Sequence, residues 1–333
     1  MPLNPKVKLD PRTLERKALK REATRGGYGR GLLEAAKKDE RIVALSADLT
    51  DSTKTNLFAE AFPERFVEVG VAEQNMVTVA SGMAAYGKIP FVTSYAMFSP
   101  GRNWEQIRTT ICYNDVPVKI VGSHAGVSVG PDGATHQAIE DIALMRVLPN
   151  MTVLSPCDAN EAFRATIAAA WFPGPVYLRL ARVDTPVFTT AATPFTVGHA
   201  EVLFDTKGKL DVALIATGPL VYEALLAAAA LERQGKKVRV INMHTIKPID
   251  EKALVQAARD AGAVVTIEEH QRNGGLGSAV AEVLVRHLPI PIEMVAIDDS
   301  FGESGTPGEL IKKFKLTAPF ITAAAKRVIR RKS

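Results

Sequence analysis

Apolar positions along this chain fall into short blocks separated by longer stretches of helical period. Residues 27–38 read as a helix, 42–47 as a buried strand, 66–69 as a strand, 73–86 as a helix, 90–94 as a strand and 104–113 as a helix. The alternation continues with strand 116–121, helix 137–147, strand 151–154, helix 160–171 and strand 176–180. Short, uniformly apolar strands between helices imply a mainly parallel sheet covered on both faces. Residues 184–194 carry two prolines and a cluster of threonines without periodicity, and read as an interdomain linker. A second series follows: strand 212–216, helix 221–234, strand 238–242, helix 251–258, strand 264–268, helix 278–286, strand 292–296, then further helical pattern. The expected fold is α/β, with two doubly wound domains at 23–188 and 195–333, each a mainly parallel sheet with helices on both faces.

Composition narrows the function classes. A length of 333 residues suits two domains, and 47% hydrophobic residues can build their cores. The net charge of +5 comes from interspersed charges, which suits small anionic substrates. No basic stripe is interleaved with aromatics, so nucleic acid is not expected as a partner. No apolar run reaches the ~20 residues that span a bilayer, so no membrane association is expected either. Cys112 and Cys157 lack metal-type spacing and read as reduced, buried thiols of a cytoplasmic protein. Residues 1–22 are rich in Lys and Arg (Lys6, Lys8, Arg12, Arg16, Lys17, Lys20, Arg21) and read as an exposed arm or a helix lying on a partner.

Chemistry concentrates in a few segments. Gly122-Ser-His-Ala-Gly-Val-Ser-Val-Gly-Pro-Asp-Gly-Ala-Thr-His-Gln137 follows a strand and holds two of the six histidines. Glycines let backbone approach a ligand, histidine moves protons near neutral pH, and open α/β sheets bind ligands at the carboxyl ends of strands. Gly70-Val-Ala-Glu-Gln-Asn-Met76 puts Glu73 in a first helical turn; a lone glutamate there is more often a dipole partner, and only the neighbouring motifs raise its standing. Thr93-Ser-Tyr-Ala-Met-Phe98 ends a strand with two aromatics able to stack on a flat heterocycle, or to serve as core. Ser46-Ala-Asp-Leu49, Ser52, Thr53, Arg25 and Arg182 add a carboxylate, hydroxyls and two possible phosphate-binding forks. Asn273-Gly-Gly-Leu-Gly-Ser278 lacks the full dinucleotide spacing.

Together with Glu268-Glu-His270 and Phe301-Gly-Glu-Ser-Gly305, these segments resemble the thiamine diphosphate-dependent transketolases over nearly the whole chain. The resemblance covers that family's pyrimidine-binding and carboxy-terminal domains. Full-length members begin with a further domain that holds the diphosphate through Mg²⁺, using Gly-Asp-Gly and a downstream Asn; Gly-Asp-Gly does not occur here. The chain therefore resembles the carboxy-terminal subunit of a two-chain transketolase. The resemblance implies an N-terminal subunit as partner, which would ligate most of the Mg²⁺, and an α2β2 assembly that moves two-carbon ketol units between sugar phosphates, with xylulose 5-phosphate or a related ketose as donor.

By the same resemblance Glu73 faces the aminopyrimidine nitrogen, and Tyr95 stacks on that ring with Phe98 and Ile107 completing an apolar wall. Asp48 lies near cofactor and interface. His136 acts beside the reacting carbonyl, Asp132 reads a substrate hydroxyl, and His124, Arg25, Ser52 and Arg182 bind the sugar phosphate, with Arg182 preferred over Arg179. Pro131 departs from the family, which often has Glu there. No metal ligand is expected on this chain, and His270 is structural or near an interface. A 1-deoxyxylulose-5-phosphate synthase-like or 2-oxo-acid dehydrogenase beta-type subunit is the alternative within the fold, and a non-catalytic assembly protein the alternative outside catalysis. His124 favours transketolase over the synthase.

Overall fold

The computed structural model describes residues 2–332. Seven strands form one sheet in the order Thr245–Lys247, Thr152–Leu154, Val176–Arg179, Lys119–Ser123, Ile89–Tyr95, Ile42–Ser46, Phe66–Glu68. Only Thr245–Lys247 runs antiparallel to its neighbour. The strand Ile42–Ser46 is buried along its whole length, yet its side chains still alternate. Val43 and Leu45 join a core with Met76, Val77 and Ala80 of helix Glu73–Ala85. Ile42 and Ala44 join another with helices Thr24–Lys38 and Ala159–Trp171. Period two on a sheet covered from both sides produces this division. Gly27 allows the two helices on that second face to touch, because a Cβ there would lie 1.9 Å from the Ala159 carbonyl oxygen.

A second sheet has the order Ile292–Ile297, Val264–Gln271, Val212–Ala216, Val238–Asn242, Glu201–Asp205, with only the last strand antiparallel. Helices Val221–Arg233 and Ala318–Ile329 cover one face, and Glu251–Ala261 and Leu276–His287 the other. The α/β class with two doubly wound, mainly parallel sheets is as the sequence implies.

Several local readings change. Strand 116–121 moves to Lys119–Ser123, because Pro117 has no N–H to give to a ladder. The helix expected at 104–113 starts as Trp104–Gln106 and continues as the π-wound segment Ile107–Cys112. There Thr109 and Thr110 donate their hydroxyls to the carbonyls of Glu105 and Gln106, competing with the regular ladder. The helix expected at 137–147 shrinks to Asp141–Arg146. Residues before it stay extended because Gly126 N–H donates to Ala138 O at 2.8 Å and the Gln137 amide donates to Val127 O, Gly130 O and Glu303 O.

The basic N-terminal segment is not a free arm, and its one helical piece is the short 3-10 turn Pro5–Val7. Leu3 bridges Phe204, Asn4 donates its amide to Val202 O at 2.7 Å, and Val7 and Leu19 are buried in the core of the second sheet. The 184–194 segment is equally fixed: Thr185–Pro186 pairs with Arg21–Glu22, and the buried Asp158 carboxylate accepts from the N–H groups of Phe188 and Thr189. A buried pair, Arg179 with Asp141 at 2.8 Å, ties strand Val176–Arg179 to helix Asp141–Arg146, and Arg179 also donates to Glu269 O of the second sheet. Arg179 is thereby committed to structure.

Candidate active site

The carboxyl ends of the parallel strands gather one row of side chains. Tyr95 closes strand Ile89–Tyr95, and His124 directly follows Lys119–Ser123. Their rings stack at 3.8 Å between centroids and 22° between planes. The Tyr95 hydroxyl lies 2.7 Å from Ser52 Oγ, which gives the phenol the partner it needs. Arg25 donates to Ser52 O at 2.5 Å and reaches His124 Nε2 at 3.4 Å. In the other direction Phe98 lies parallel to Tyr95 at 5.9 Å, and His136 stands edge-on to Phe98 at 5.4 Å and to Tyr95 at 6.3 Å. The Arg102 guanidinium covers Phe98 at 4.4 Å and donates to Glu73 at 3.3 Å. Glu73 opens helix Glu73–Ala85 and is buried.

Two electrostatic features follow. Arg25 has its pKa lowered, first by burial and then by Arg182, so two guanidiniums face one region and repel. An anion between them removes that repulsion. Burial, then Arg25, Arg182 and His136, push His124 down to about 3. Arginine can only donate, so Nε2 of His124 accepts, and Nδ1–H donates to Ser123 Oγ at 2.9 Å. His124 is thus a neutral histidine with a fixed tautomer.

His244 is also held neutral, at about 3, chiefly by burial, with Arg164 and His199 acting the same way and Asp250 opposing. Its folded pKa lies below the ordinary 6.5, so its contribution to stability is full above that value and fades as pH falls toward 3. Glu161 and Glu268, raised to about 7 by burial, act oppositely, so the difference between wild type and variant isolates the histidine. The stability deficit of His244→Gln is expected to shrink between about pH 6.5 and about pH 4. Urea titrations at several pH values measure it; a deficit constant with pH contradicts the assignment.

Not every residue singled out in the sequence joins the row. Asp48 is exposed, with a left-handed φ of 59°, and its N–H donates to Glu68 Oε1 at 2.7 Å. Asp132 sits on an exposed turn. Arg182 donates to Val129 O at 2.8 Å and meets the row through its field on Arg25 and His124. Ile107 is fully buried among core residues and lines no wall. His270 is buried, with Nδ1 donating to Gln271 O at 2.7 Å and Nε2 accepting from Ala143 N–H, which ties strand Val264–Gln271 to helix Asp141–Arg146. The glycine-rich start of helix Leu276–His287 is taken by the Glu268 carboxylate, which accepts from Leu276 and Gly277 N–H at 2.6 and 2.8 Å. No phosphate is needed there.

Two family models match the chain. Residues 20–187 match the model of the transketolase pyrimidine binding domain, and residues 198–321 that of the transketolase C-terminal domain. The chain belongs to the transketolase family. It is 43% identical to the 6-deoxy-6-sulfo-D-fructose transketolase subunit SqwH of Clostridium sp. (strain MSTE9), over 91% of this chain and 93% of that one. It is 36% identical to an apulose-4-phosphate transketolase subunit of Phocaeicola vulgatus, over 93% and 98%. A solved structure described as a split gene transketolase, inactive beta4 tetramer, superimposes with a TM-score of 0.87 at 48% identity, covering 93% of this chain and 99% of that one.

Within this transketolase-family chain the donor set suits one half of thiamine diphosphate. A buried carboxylate and an aromatic ring, Glu73 and Phe98, joined through Arg102, which touches both, are groups that suit an aminopyrimidine ring. Among the described residues no group of three or more His, Cys, Asp or Glu is placed to hold a metal ion. Three residues of the site escape the sequence reading. Arg102 is the cation on Glu73, Glu68 holds the Asp48–Gly70 corner, and Gln137 anchors the histidine loop. Arg102 stands four places after Phe98, one helical turn away, and that spacing is the only sequence trace of its contact.

Proposed function

We propose that this chain is the carboxy-terminal subunit of a thiamine diphosphate-dependent transketolase that moves two-carbon ketol units between sugar phosphates. The observation that carries the reading is the continuous row from the buried Glu73 to the Arg25–His124 end. When bound, thiamine diphosphate supplies a nucleophilic thiazolium carbon. Glu73 would hold a proton against the aminopyrimidine nitrogen. Tyr95 and Phe98 would together supply the aromatic surface for that ring, one side of Tyr95 being taken by His124 and Phe98 becoming free once Arg102 turns aside. Tyr95 also fixes Ser52 and His124. His136 would pass a proton to and from the sugar oxygens. His124, neutral, can accept a hydrogen bond from a substrate hydroxyl at Nε2 once Arg25 turns to an anion. Arg25 and Arg182 would clamp the phosphate, which positions the reacting carbon. Asp132 and Asp48 stand ready to meet substrate and partner from exposed turns.

The diphosphate and Mg²⁺ would be bound mainly by an N-terminal subunit, with at least two copies of each chain. The matching chains named as subunits support this division, as does the split-gene relative whose structure is described as an inactive beta4 tetramer. In the assembled enzyme, Arg182→Gln is expected to raise KM for a phosphorylated acceptor about tenfold or more, with a smaller change in kcat. An unphosphorylated acceptor should feel little. Steady-state kinetics with both acceptors test this, and equal losses for the two would refute the clamp.

A further inference from the structure

Arg102 sits on both groups proposed above to receive the cofactor's pyrimidine. Its guanidinium lies over Phe98, 4.4 Å from the ring centroid. Its Nη1 lies between the two Glu73 oxygens, donating at 3.4 Å to Oε1 and 3.3 Å to Oε2. A guanidinium is flat, stacks on aromatic faces and carries N–H donors along its edge. An aminopyrimidine is likewise flat, and turns a ring nitrogen and its proton to a carboxylate. The same carboxylate and the same aromatic face suit either occupant, and each occupant excludes the other.

The turn that carries Arg102 is fixed, whereas its side chain is not. Arg102 N–H donates to Phe98 O at 2.9 Å, and Arg102 O accepts from the Gln74 amide at 3.3 Å. Asn103 donates Nδ2 to Glu73 O at 3.0 Å and to Ser99 Oγ at 3.1 Å, which ties the turn to helix Glu73–Ala85. A Cβ at Gly101 would run into Met97 O, so the turn is wound as tightly as glycine allows. The Arg102 side chain is 52% exposed, against 4% for Glu73, and among the described residues its guanidinium donates to Glu73 alone. Contacts of that length from a half-exposed arm exchange readily with water.

We infer that Arg102 is an internal plug: in the free chain its guanidinium holds the pyrimidine position, and an aminopyrimidine enters by turning that side chain out to solvent while the backbone stays in place. The plug also compensates a buried carboxylate that would otherwise face the empty position unpaired. The inference rests on the proposed roles of Glu73 and Phe98.

Calorimetry on the full chain with thiamine, which brings the ring without the diphosphate, tests it. Arg102→Ala is expected to bind thiamine about tenfold more tightly than wild type, the combined scale of an exposed ion pair and a surface cation–π contact. The gain should hold for 4-amino-2-methylpyrimidine at a pH where that ring is uncharged, because a vacated place, unlike lost charge repulsion, does not depend on the ligand's charge. It should vanish when Glu73→Gln is added to Arg102→Ala. Binding by Arg102→Ala no tighter than wild type, or none at all, overturns the plug. So does a gain confined to thiamine, or one that survives Glu73→Gln. The role of Glu73 is judged apart from this, by turnover of the assembled enzyme carrying Glu73→Gln alone. If that turnover is lost while Arg102→Ala binds like wild type, the plug fails and the proposed role of Glu73 stands.

Discussion

Glu73→Gln is expected to lower turnover of the assembled enzyme by about 10²–10⁴-fold. The reason lies in what the carboxylate can do and its amide cannot. A glutamate at a ring nitrogen holds and releases a proton, while glutamine has the same shape but exchanges none. Glu73 is buried at 4% exposure, at the start of a helix whose dipole favours its negative charge. Its side chain meets one cation, Arg102, itself about half exposed, so removing the charge leaves no deeply buried guanidinium behind. The fold should therefore survive, and circular dichroism with thermal melting establishes that it does. The loss should appear in kcat, since the interaction acts on the cofactor's reactivity and not on the sugar. Turnover within tenfold of wild type would remove Glu73 from the proposed chemistry.

The chain alone, supplied with thiamine diphosphate, Mg²⁺ and sugar phosphates, is expected to turn over at least ~10³-fold more slowly than with its partner subunit. The row from Glu73 to His124 offers one wall: a carboxylate and an aromatic for the pyrimidine, histidines and arginines for the sugar. The diphosphate and metal need oxygen ligands fixed in an octahedral arrangement. The described residues place no cluster of three such groups. Without those ligands the reactive carbon has no fixed position relative to His136, and the advantage of orientation is lost. Activity of the chain with and without an added subunit that carries Gly-Asp-Gly and a downstream Asn decides this. Full turnover by the chain alone would mean that it binds both halves of the cofactor itself.

Much of the fold was legible because short-range rules govern it. The alternation of apolar blocks with helical period marks nearly every strand of the two parallel series, since each buried strand must be apolar on both faces. Edge strands left weaker traces. Glu201–Asp205 is partly exposed, with only Leu203 and Phe204 buried, and Thr245–Lys247 has just three residues. Neither gives enough alternation to be read. The loop from His124 to Gln137 stood out in the sequence as a candidate ligand loop by its glycines and histidines, but its shape was not legible there. Gln137, which looks like a helix start, is turned by carbonyls on two sides and by Glu303 from the other domain.

The sequence by itself determined the order of elements, the two-domain α/β class, and the identity of the chemical groups, because these follow from periodicity and residue type within a few positions. The tertiary structure decided which groups meet. Arg102 reaches Glu73 across 29 positions, and Arg25 reaches His124 across 99. Thr245–Lys247 crosses from the second domain's part of the chain to complete the first sheet, and the basic N-terminal segment folds back onto Phe204. Such pairings depend on the return path of the backbone and on which buried hydrogen bonds must be satisfied, and neither is written in local pattern.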